Sequence, residues 1–375
     1  MLFNSFIMGG FECSTHRDAS GRRLDLIAST RHDEFAEEDY TRLLEMGMAT
    51  CRDGVRWHLI ETEPYKYDFS SLQRQIAAAR RTGIEVIWDY FHYGFPDDID
   101  IFSAAFPERF GAFAGALTRF LVDELGPRVL ACPVNEISFF SWIGGQVGHF
   151  YPCERGRGSE LKRQLVRAAI SGTRAIRSVA PDSVIMLTDP AIHVVAGRDA
   201  TPQRRREAEN YRRAQFEAFD MVLGRTHPEL GGSDDMIDVI GLNYYFHNQW
   251  YYPNRRKIPV GHPRYRPLAD ILGEYQERYG KPIMIAETGI EDDERPEWFR
   301  YVCGQVAEAR RRGADLNGVC LYPICNHPGW ADDRHCHNGL WDYANEKGER
   351  EIYSPLAEEV RRQHPLFLKR AAAAA

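Results

Sequence analysis

Residues 268–287, with the sequence LADILGEYQERYGKPIMIAE, contain one complete unit of the pattern that decides the fold. From Leu268 to Tyr279, apolar residues recur at three- and four-residue spacing, which predicts an amphipathic helix. Gly280 follows, and a glycine at this place suits a left-handed helix cap. The short apolar run Ile283–Ala286 then predicts a buried strand. The unit is therefore a helix that leads into a strand, with Glu287 at the end of the strand.

The same alternation continues along the whole chain. The eight predicted strands are Leu2–Met8, Ala49–Trp57, Ile84–Tyr90, Val129–Val134, Val184–Leu187, Met236–Asn243, Ile283–Ala286 and Gly318–Tyr322. The eight predicted helices lie at about Phe35–Met46, Leu72–Arg81, Pro107–Leu125, Leu161–Val179, Arg204–Leu223, Leu268–Tyr279, Glu297–Arg312 and Ser354–Arg362. Glycines that suit left-handed caps follow several of these helices, at Gly47, Gly83, Gly280 and Gly313.

Eight strands that are each followed by a helix predict an α/β fold, a (β/α)₈ or TIM barrel. Five or six such units would favour an open doubly wound sheet instead, but the first strand leads into Gly9-Gly10-Phe11-Glu12, which is not a dinucleotide-binding loop. No linker or low-complexity tract divides the chain. We therefore expect a single catalytic barrel domain over residues 1–370. The terminal run Ala371–Ala375, either a cloning remnant or a frayed end, is left out of the fold.

The composition excludes several classes of partner. The formal net charge is −7, and arginines and lysines are scattered among acids, which argues against nucleic acid or an anionic membrane as the main partner. The N-terminus lacks the pattern of a signal peptide, and no window has the roughly 18 apolar residues of a membrane span. Eight cysteines are spread singly, as expected for reduced thiols in a cytoplasmic protein. The oligomeric state stays open.

Two glutamates stand at the ends of predicted strands. Glu136 closes Ala131-Cys-Pro-Val-Asn-Glu on strand four, and Glu287 closes strand seven. Strands four and seven lie across a barrel from each other, so the two side chains can converge on one substrate atom at the catalytic face. Cleavage of a glycosidic bond requires such a pair of carboxyl groups. The long segments that follow strands four, five, six and eight are rich in aromatic residues and belong to the same face.

Six short blocks, in order along nearly the whole chain, resemble the motifs of the glycoside hydrolase clan A barrels, most closely glycoside hydrolase family 1, the β-glucosidase family. Pro133-Val-Asn-Glu-Ile137 is similar to the family's Asn-Glu-Pro acid/base motif, with isoleucine in place of proline. Ile285-Ala-Glu-Thr-Gly289 is similar to its Thr-Glu-Asn-Gly nucleophile motif, with threonine in place of asparagine. The other four blocks are Cys51–Trp57, Tyr90–Pro96, Asp238–Tyr245 and Trp330–Leu340.

The resemblance implies a retaining exo-acting β-glycosidase without a metal or cofactor, acting on a small glycoside. Glu136 would be the general acid/base and Glu287 the nucleophile, with Arg52 and Tyr245 holding the nucleophile. The residues that the resemblance places around the sugar are His16, His92, Asn135, Asn243 and Trp330. A transglycosidase with the same site, or a sugar-binding barrel without activity, is the alternative reading.

The sequence departs from the family at one important position. Where family 1 has a glutamate that grips the sugar, just before the tryptophan that here is Trp330, this chain has Gly329. Asp332 or Asp333 could replace that acid. The basic loop Asn254–Lys257 could bind an anionic substrate, although a solvated charge run explains it more simply. A metal at His335-Cys336-His337 is disfavoured because no second ligand pair has a suitable spacing.

Overall fold

The computed structural model describes residues 2–368, and its centre is a closed barrel of eight parallel strands. Each strand pairs with its neighbour in the chain, and the eighth closes on the first, where Ile7 lies opposite Val319. The strands, numbered β1 to β8, are Ile7–Gly10, Thr50–Gly54, Glu85–Asp89, Leu130–Cys132, Val184–Pro190, Val239–Asn243, Ile283–Thr288 and Leu316–Leu321. The predicted (β/α)₈ barrel is confirmed.

Helices lie between the strands and cover the barrel. The principal ones, numbered α1 to α8, are Ala36–Glu45, Gln73–Thr82, Ala105–Leu125, Gly158–Val179, Pro202–Arg213, Leu268–Tyr279, Arg295–Arg311 and Ser354–Leu368. Short helices lie at Leu26–Ser29, Trp57–Ile60, Ile137–Phe140 and Glu217–Val222, and a π-helical turn spans Ser141–Gln146. Gly83 and Gly280 cap their helices with φ of 71° and 62°, as predicted.

Several predicted elements need correction. The predicted strands Ala49–Trp57 and Met236–Asn243 are shortened to Thr50–Gly54 and Val239–Asn243, because Trp57 begins a short helix and Met236 lies in a 3₁₀ turn. The first strand begins at Ile7 rather than Leu2, because only Ile7 to Gly9 pair with β8. The predicted helix Arg204–Leu223 is broken at Ala214–Phe216, where a 3₁₀ turn separates α5 from Glu217–Val222. Here the buried Gln215 amide donates to the Arg212 carbonyl and accepts from the Ile192 amide, which anchors the turn to the loop after β5.

The barrel interior is packed rather than hollow. Met8, Ile87, Met186, Val239 and Met284 are at most 1% exposed and form its lower layer. The cavity that contains the candidate site lies above this packing, at the carboxyl ends of the strands. All eight cysteines are free thiols, and no helix within residues 2–368 has the length and apolar character to cross a membrane. Ala371–Ala375 lie outside the described residues.

Two small sheets lie at the mouth of the barrel. The strands His193–Ala196, Gln249–Tyr252 and Arg256–Lys257 join the loops after β5 and β6, so these loops form one wall. The strands His327–Pro328 and His335–Cys336 pair within the loop after β8. The mouth is therefore shaped by the long segments that the sequence places on the catalytic face.

Candidate active site

A cavity of about 770 Å³ opens at the carboxyl ends of the barrel strands. Both Glu136 and Glu287 line it. Glu287 lies in β7 beside Asn243 of β6, and Glu136 follows β4 by four residues. The side chains of the two glutamates are almost wholly buried, and the negative charge of Glu136 acts on Glu287. The structure thus brings together the pair that the sequence predicts.

Glu287 is held at both carboxylate oxygens. Arg52 Nη1 donates to Oε1 over 3.1 Å, and the Tyr245 hydroxyl donates to Oε2 over 2.8 Å. Arg52 lies in β2, and its guanidinium reaches Glu287 in β7. Two fixed donors, one of them cationic, stabilise the ionised form of Glu287 and orient its carboxylate.

Arg52 is completely buried, and it connects three parts of the site. Its Nη2 donates to Asp89 Oδ2 over 2.6 Å and to Asn135 Oδ1 over 3.2 Å, while Nη1 also donates to the Ala286 carbonyl. Although burial alone would raise the pKa of Asp89, the Arg52 guanidinium lowers it. Asp89 therefore balances the charge of Arg52 from beneath the site.

Glu136 has different surroundings. Its backbone lies in the left-handed region, with φ 48° and ψ 61°, and its amide donates to the Thr188 carbonyl over 3.0 Å. A non-glycine residue rarely adopts this conformation, and such strain collects at functional sites. The Tyr93 hydroxyl donates to Glu136 Oε2. No arginine or lysine among the described residues pairs with Glu136, in contrast to Glu287.

These surroundings raise the pKa values of both glutamates, but through different neighbours. Burial raises the pKa of Glu287 to about 7; the Arg52 charge lowers it and the Glu136 charge raises it. Burial also raises the pKa of Glu136, against hydrogen bonds from Tyr93 and Asn243 that lower it. Two buried neighbouring carboxyl groups do not both ionise readily near neutral pH. Arg52 pairs with Glu287 and not with Glu136, so its charge favours the ionised form of Glu287 more than that of Glu136.

A hydrogen-bonded layer supports the two acids. Asn135 Oδ1 accepts from Thr188 Oγ1 over 2.6 Å, and Asn243 Nδ2 lies 3.5 Å from the same oxygen. Asn135 Nδ2 lies 3.1 Å from His92 Nε2. On its other side, His92 Nδ1 lies 3.2 Å from Asp89 Oδ2. Of these residues, His92 lines the cavity, whereas Asn135 and Asn243 lie just beneath it, fully buried.

Trp330 lines the cavity, but His16 does not. The His16 ring is fully buried, stacks on Phe150 at 3.7 Å between centroids, and meets the edge of Trp330 at 5.3 Å. Burial lowers the pKa of His16 to about 3, so the ring is neutral. Both ring nitrogens of His16 are buried without a hydrogen-bond partner among the described residues, and the predicted contact of His16 with a sugar stays a prediction.

Glu12 is a site residue that the sequence reasoning missed. It follows β1 by two residues, is 7% exposed, and lines the cavity together with Glu136 and Glu287. Its Oε1 accepts from the Ser14 amide over 2.9 Å and lies 4.0 Å from His92 Nε2. No protein group within residues 2–368 donates to Oε2, which leaves that oxygen for a ligand. An acid just beyond a barrel strand is the same signal that identified Glu136 and Glu287.

The loop after β8 brings no acid into the cavity in place of Gly329. Neither Asp332 nor Asp333 lines the cavity, and Asp333 pairs with Arg22 at the surface. His327 and Asn338 line this side instead, with Asn338 Nδ2 3.0 Å from His327 Nε2. Glu12 therefore lines the cavity with one carboxylate oxygen to which no described protein group donates.

Cys13, Asp89 and His92 form a cluster whose ligand atoms lie within 4.8 Å of one another. The chemistry of the cluster does not fit a metal ion. Asp89 Oδ2 already accepts from Arg52, whose charge would repel a cation. Burial raises the pKa of the Cys13 thiol well above its usual range, which opposes the thiolate that a metal requires. The cluster belongs to the support of Arg52 and His92.

No protein-family model matches the chain, and no curated protein matches it in sequence. Solved structures do match. A β-glucosidase from Thermotoga maritima in complex with glucoimidazole is 16% identical, with a TM-score of 0.75 over 96% of this chain and 99% of that one. A second structure, of the family 1 β-glucosidase from Thermotoga maritima, is 15% identical, with a TM-score of 0.75 over 96% of this chain and 98% of that one. A monomer of a hyperthermophilic β-glucosidase mutant has a TM-score of 0.76 at 16% identity, over 95% and 99% of the two chains. Over nearly its whole described length, this chain has the fold of the family 1 β-glucosidases.

Proposed function

We propose that the protein is a retaining exo-β-glycosidase that hydrolyses a small β-glycoside through a covalent glycosyl-enzyme. The observation that carries this proposal is the unequal support of two buried glutamates in one cavity. Glu287 is held by Arg52 and Tyr245, as a nucleophile that must stay ionised requires. Glu136 has only neutral donors, as a general acid that must stay protonated requires.

In the first step, a Glu287 oxygen attacks the anomeric carbon while Glu136 gives its proton to the glycosidic oxygen. The bond between the anomeric carbon and that oxygen breaks, the alcohol leaves, and the sugar is bound to Glu287 as an ester. The carboxyl group of Glu287 is neutral in this ester. Glu136 is now ionised, and the loss of the negative charge on Glu287 favours that ionised form.

In the second step, Glu136 takes a proton from water, and the water oxygen attacks the anomeric carbon. The ester bond to Glu287 breaks, which restores both glutamates and yields the sugar with its original anomeric configuration. We infer that Trp330 stacks on the apolar face of the sugar, while His92 and Glu12 bind its hydroxyls. Asn135 and Asn243, which lie beneath the cavity and do not line it, position the acids through their hydrogen bonds.

The proposal is tested by intact-protein mass spectrometry after incubation with a panel of 2-deoxy-2-fluoro-glycosides carrying good leaving groups. The expected result is a glycosyl adduct with at least one sugar, mapped by peptide sequencing to Glu287. Absence of an adduct with every sugar, together with no hydrolysis of the matching aryl glycosides, would contradict a catalytic role and favour a sugar-binding barrel.

Glu12→Gln is expected to lower kcat/KM by roughly 10- to 100-fold, which corresponds to the loss of one charge-assisted hydrogen bond to the sugar. The substitution keeps the shape of the side chain and removes its charge. The measurement is kcat/KM of the wild type and of Glu12→Gln on a series of aryl glycosides that each lack one hydroxyl. The two proteins should differ little on the substrate that lacks the hydroxyl bound by Glu12. Equal losses on all of these substrates would mean that Glu12 is structural.

Tyr93→Phe is expected to move the alkaline limb of the kcat/KM profile to higher pH. The Tyr93 hydrogen bond lowers the pKa of Glu136, so its removal raises that pKa, and the protonated acid persists further into the alkaline range. The matched control is Tyr90→Phe, since the Tyr90 hydroxyl lies 2.9 Å from Thr118 Oγ1 in the core. An alkaline limb that is unchanged in Tyr93→Phe, or shifted equally in the control, would refute this role of Tyr93.

We also infer a cytoplasmic, reducing location, since seven of the eight free thiols are buried and none is paired. We further propose that residues 1–370 form a single domain.

A further inference from the structure

The cavity has a deep half and an outer half, which come from different loops. Glu12, His92 and Trp330, which follow β1, β3 and β8, line the deep half, where Glu12 and His92 are buried. The loops after β4, β5 and β6 line the outer half with aromatic rings and two exposed cations. These residues are Trp142, Tyr211, Phe246, Trp250, Arg255 and Lys257.

Arg255 is held over the cavity without a carboxylate partner among residues 2–368. Its guanidinium lies 4.5 Å from the centre of the Trp142 ring, and Nη2 lies 3.4 Å from the Tyr211 hydroxyl. Its backbone has φ 56°, in the left-handed region, where an arginine is strained. The nearby Arg212 and Arg266, in contrast, both pair with Glu274. A strained turn that directs an unpaired cation into a cavity is consistent with a binding role.

Lys257 is the second cation of the outer half. Its Nζ lies 4.4 Å from the centre of the Phe246 ring, and no described carboxylate forms an ion pair with it. Phe246 directly follows Tyr245, the residue that holds Glu287. Burial and the Lys257 charge lower the pKa of His247 to about 4, so His247 adds no charge of its own. The positive charge of the outer half therefore comes from Arg255 and Lys257, together with Lys162, whose charge Glu217 balances.

The outer half lies on the side of the leaving group. Glu136 precedes the short helix that contains Phe139, Trp142 lies in the π-helical turn that follows, and the Phe139 and Trp142 rings are 6.1 Å apart. Six α-helical residues span roughly 9 Å, and Trp142 lies within about that distance of Glu136 along the segment. The aglycone is attached to the oxygen that Glu136 protonates. It would therefore extend from Glu136 along the Phe139 and Trp142 rings toward Arg255. An aglycone made of one aromatic ring with one substituent is about long enough to cover this distance.

We propose that the outer half selects β-glycosides whose aglycone has an apolar ring and an anionic group. The ring packs against Trp142 and Phe246, and the anion pairs with Arg255 and Lys257. This inference rests on the proposed glycosidase function for the bond that is cleaved, but the binding of an aromatic acid in the outer half does not require turnover.

The kinetic test uses 4-carboxyphenyl β-glycosides and their methyl esters, with the sugar that the fluoro-sugar panel identifies. Arg255→Gln combined with Lys257→Gln is expected to lower kcat/KM about fivefold for the acid and less than twofold for the ester. Comparing the two proteins on each substrate removes the difference in leaving-group acidity. The control is Arg256→Gln, because Arg256 lies in the same loop, stacks on Tyr251 at 4.8 Å, and does not line the cavity.

The binding test uses free 4-hydroxybenzoate and its methyl ester, titrated by ligand-observed NMR. The acid should bind about fivefold more tightly than the ester at 0.05 M NaCl, and this preference should vanish in the double variant and largely vanish at 0.5 M NaCl. A preference that survives in the double variant, or that is equally lost in Arg256→Gln, would overturn the anion site. A wild-type protein that binds the acid selectively but hydrolyses no glycoside would overturn the proposed function and leave the anion site standing.

Discussion

Glu287→Gln is expected to lower kcat by at least about 10⁴-fold on every substrate and to abolish the fluoro-sugar adduct. The substitution keeps the size of the side chain and the possibility of hydrogen bonds to Arg52 and Tyr245, but the neutral amide cannot form the glycosyl ester. Removing a covalent nucleophile has effects of this order in other hydrolases. The measurement is the hydrolysis rate of an activated aryl glycoside, with the fold verified by circular dichroism.

Glu136→Gln provides the comparison that assigns the two roles. An activated aryl glycoside needs little protonation of its leaving oxygen, so the first step should survive in this variant while the second step slows. The expected result is a rapid burst of phenol equal to the enzyme concentration, followed by slow turnover, as the ester on Glu287 accumulates. Equal residual activity of the two variants, with no burst in either, would contradict the assignment of acid/base and nucleophile.

The barrel could be predicted from the sequence because its strands are buried on both sides and read as short apolar runs. Ile283–Ala286 was identified in this way, and the structure extends that strand only to Thr288. The break of the helix at Ala214–Phe216 could not be predicted, since it depends on the Gln215 side chain and a loop that is distant in sequence. The start of β1 was misplaced because Phe3 and Phe6 are buried below the barrel without pairing as a strand.

The positions of Glu136 and Glu287 could also be predicted, because a glutamate at the end of an apolar run has a large desolvation cost unless it has a task. The same argument applies to Glu12, but Gly9 and Gly10 interrupt the apolar run before it and weaken the signal. For His16, the structure adds a stacking contact with Phe150, a packing that no spacing along the chain reveals.

The contact of Tyr93 with Glu136 could not be predicted for a similar reason. Tyr93 has φ 67°, so its side chain leaves the loop after β3 in a direction that an ordinary backbone would not give. Tertiary packing, with Phe139, Phe140 and Phe150 around the ring, then sets its position. Sequence reasoning therefore finds the acids, whereas the neighbours that set their pKa values emerge only from the folded loops.

Arg52→Met is expected to lower the free energy of unfolding by about 3–5 kcal/mol and to abolish activity. Methionine fills much of the space, but it leaves the carboxylates of Asp89 and Glu287 buried without their cation. The measurement is urea unfolding of the wild type and the variant, followed by fluorescence. The control is Arg312→Met. The Arg312 side chain is half exposed and pairs with Asp270 and Glu308, so this substitution should lower the free energy of unfolding by at most about 1 kcal/mol.

The stability loss of Arg52→Met can arise from buried charges left without a partner or from poorer packing. Its pH dependence distinguishes these two causes. In the wild type, Arg52 lowers the pKa of Asp89 in the folded state, so the stability from this pair is present at neutral pH and is lost as the pH falls through that pKa. Without Arg52, burial raises the pKa of Asp89 and further raises that of Glu287, and protonation then removes the unpaired charges. The stability deficit of Arg52→Met should therefore shrink as the pH is lowered from 8 to 5. A deficit that is the same at both pH values would instead mean that Arg52 stabilises the barrel through its packing and not through its charge.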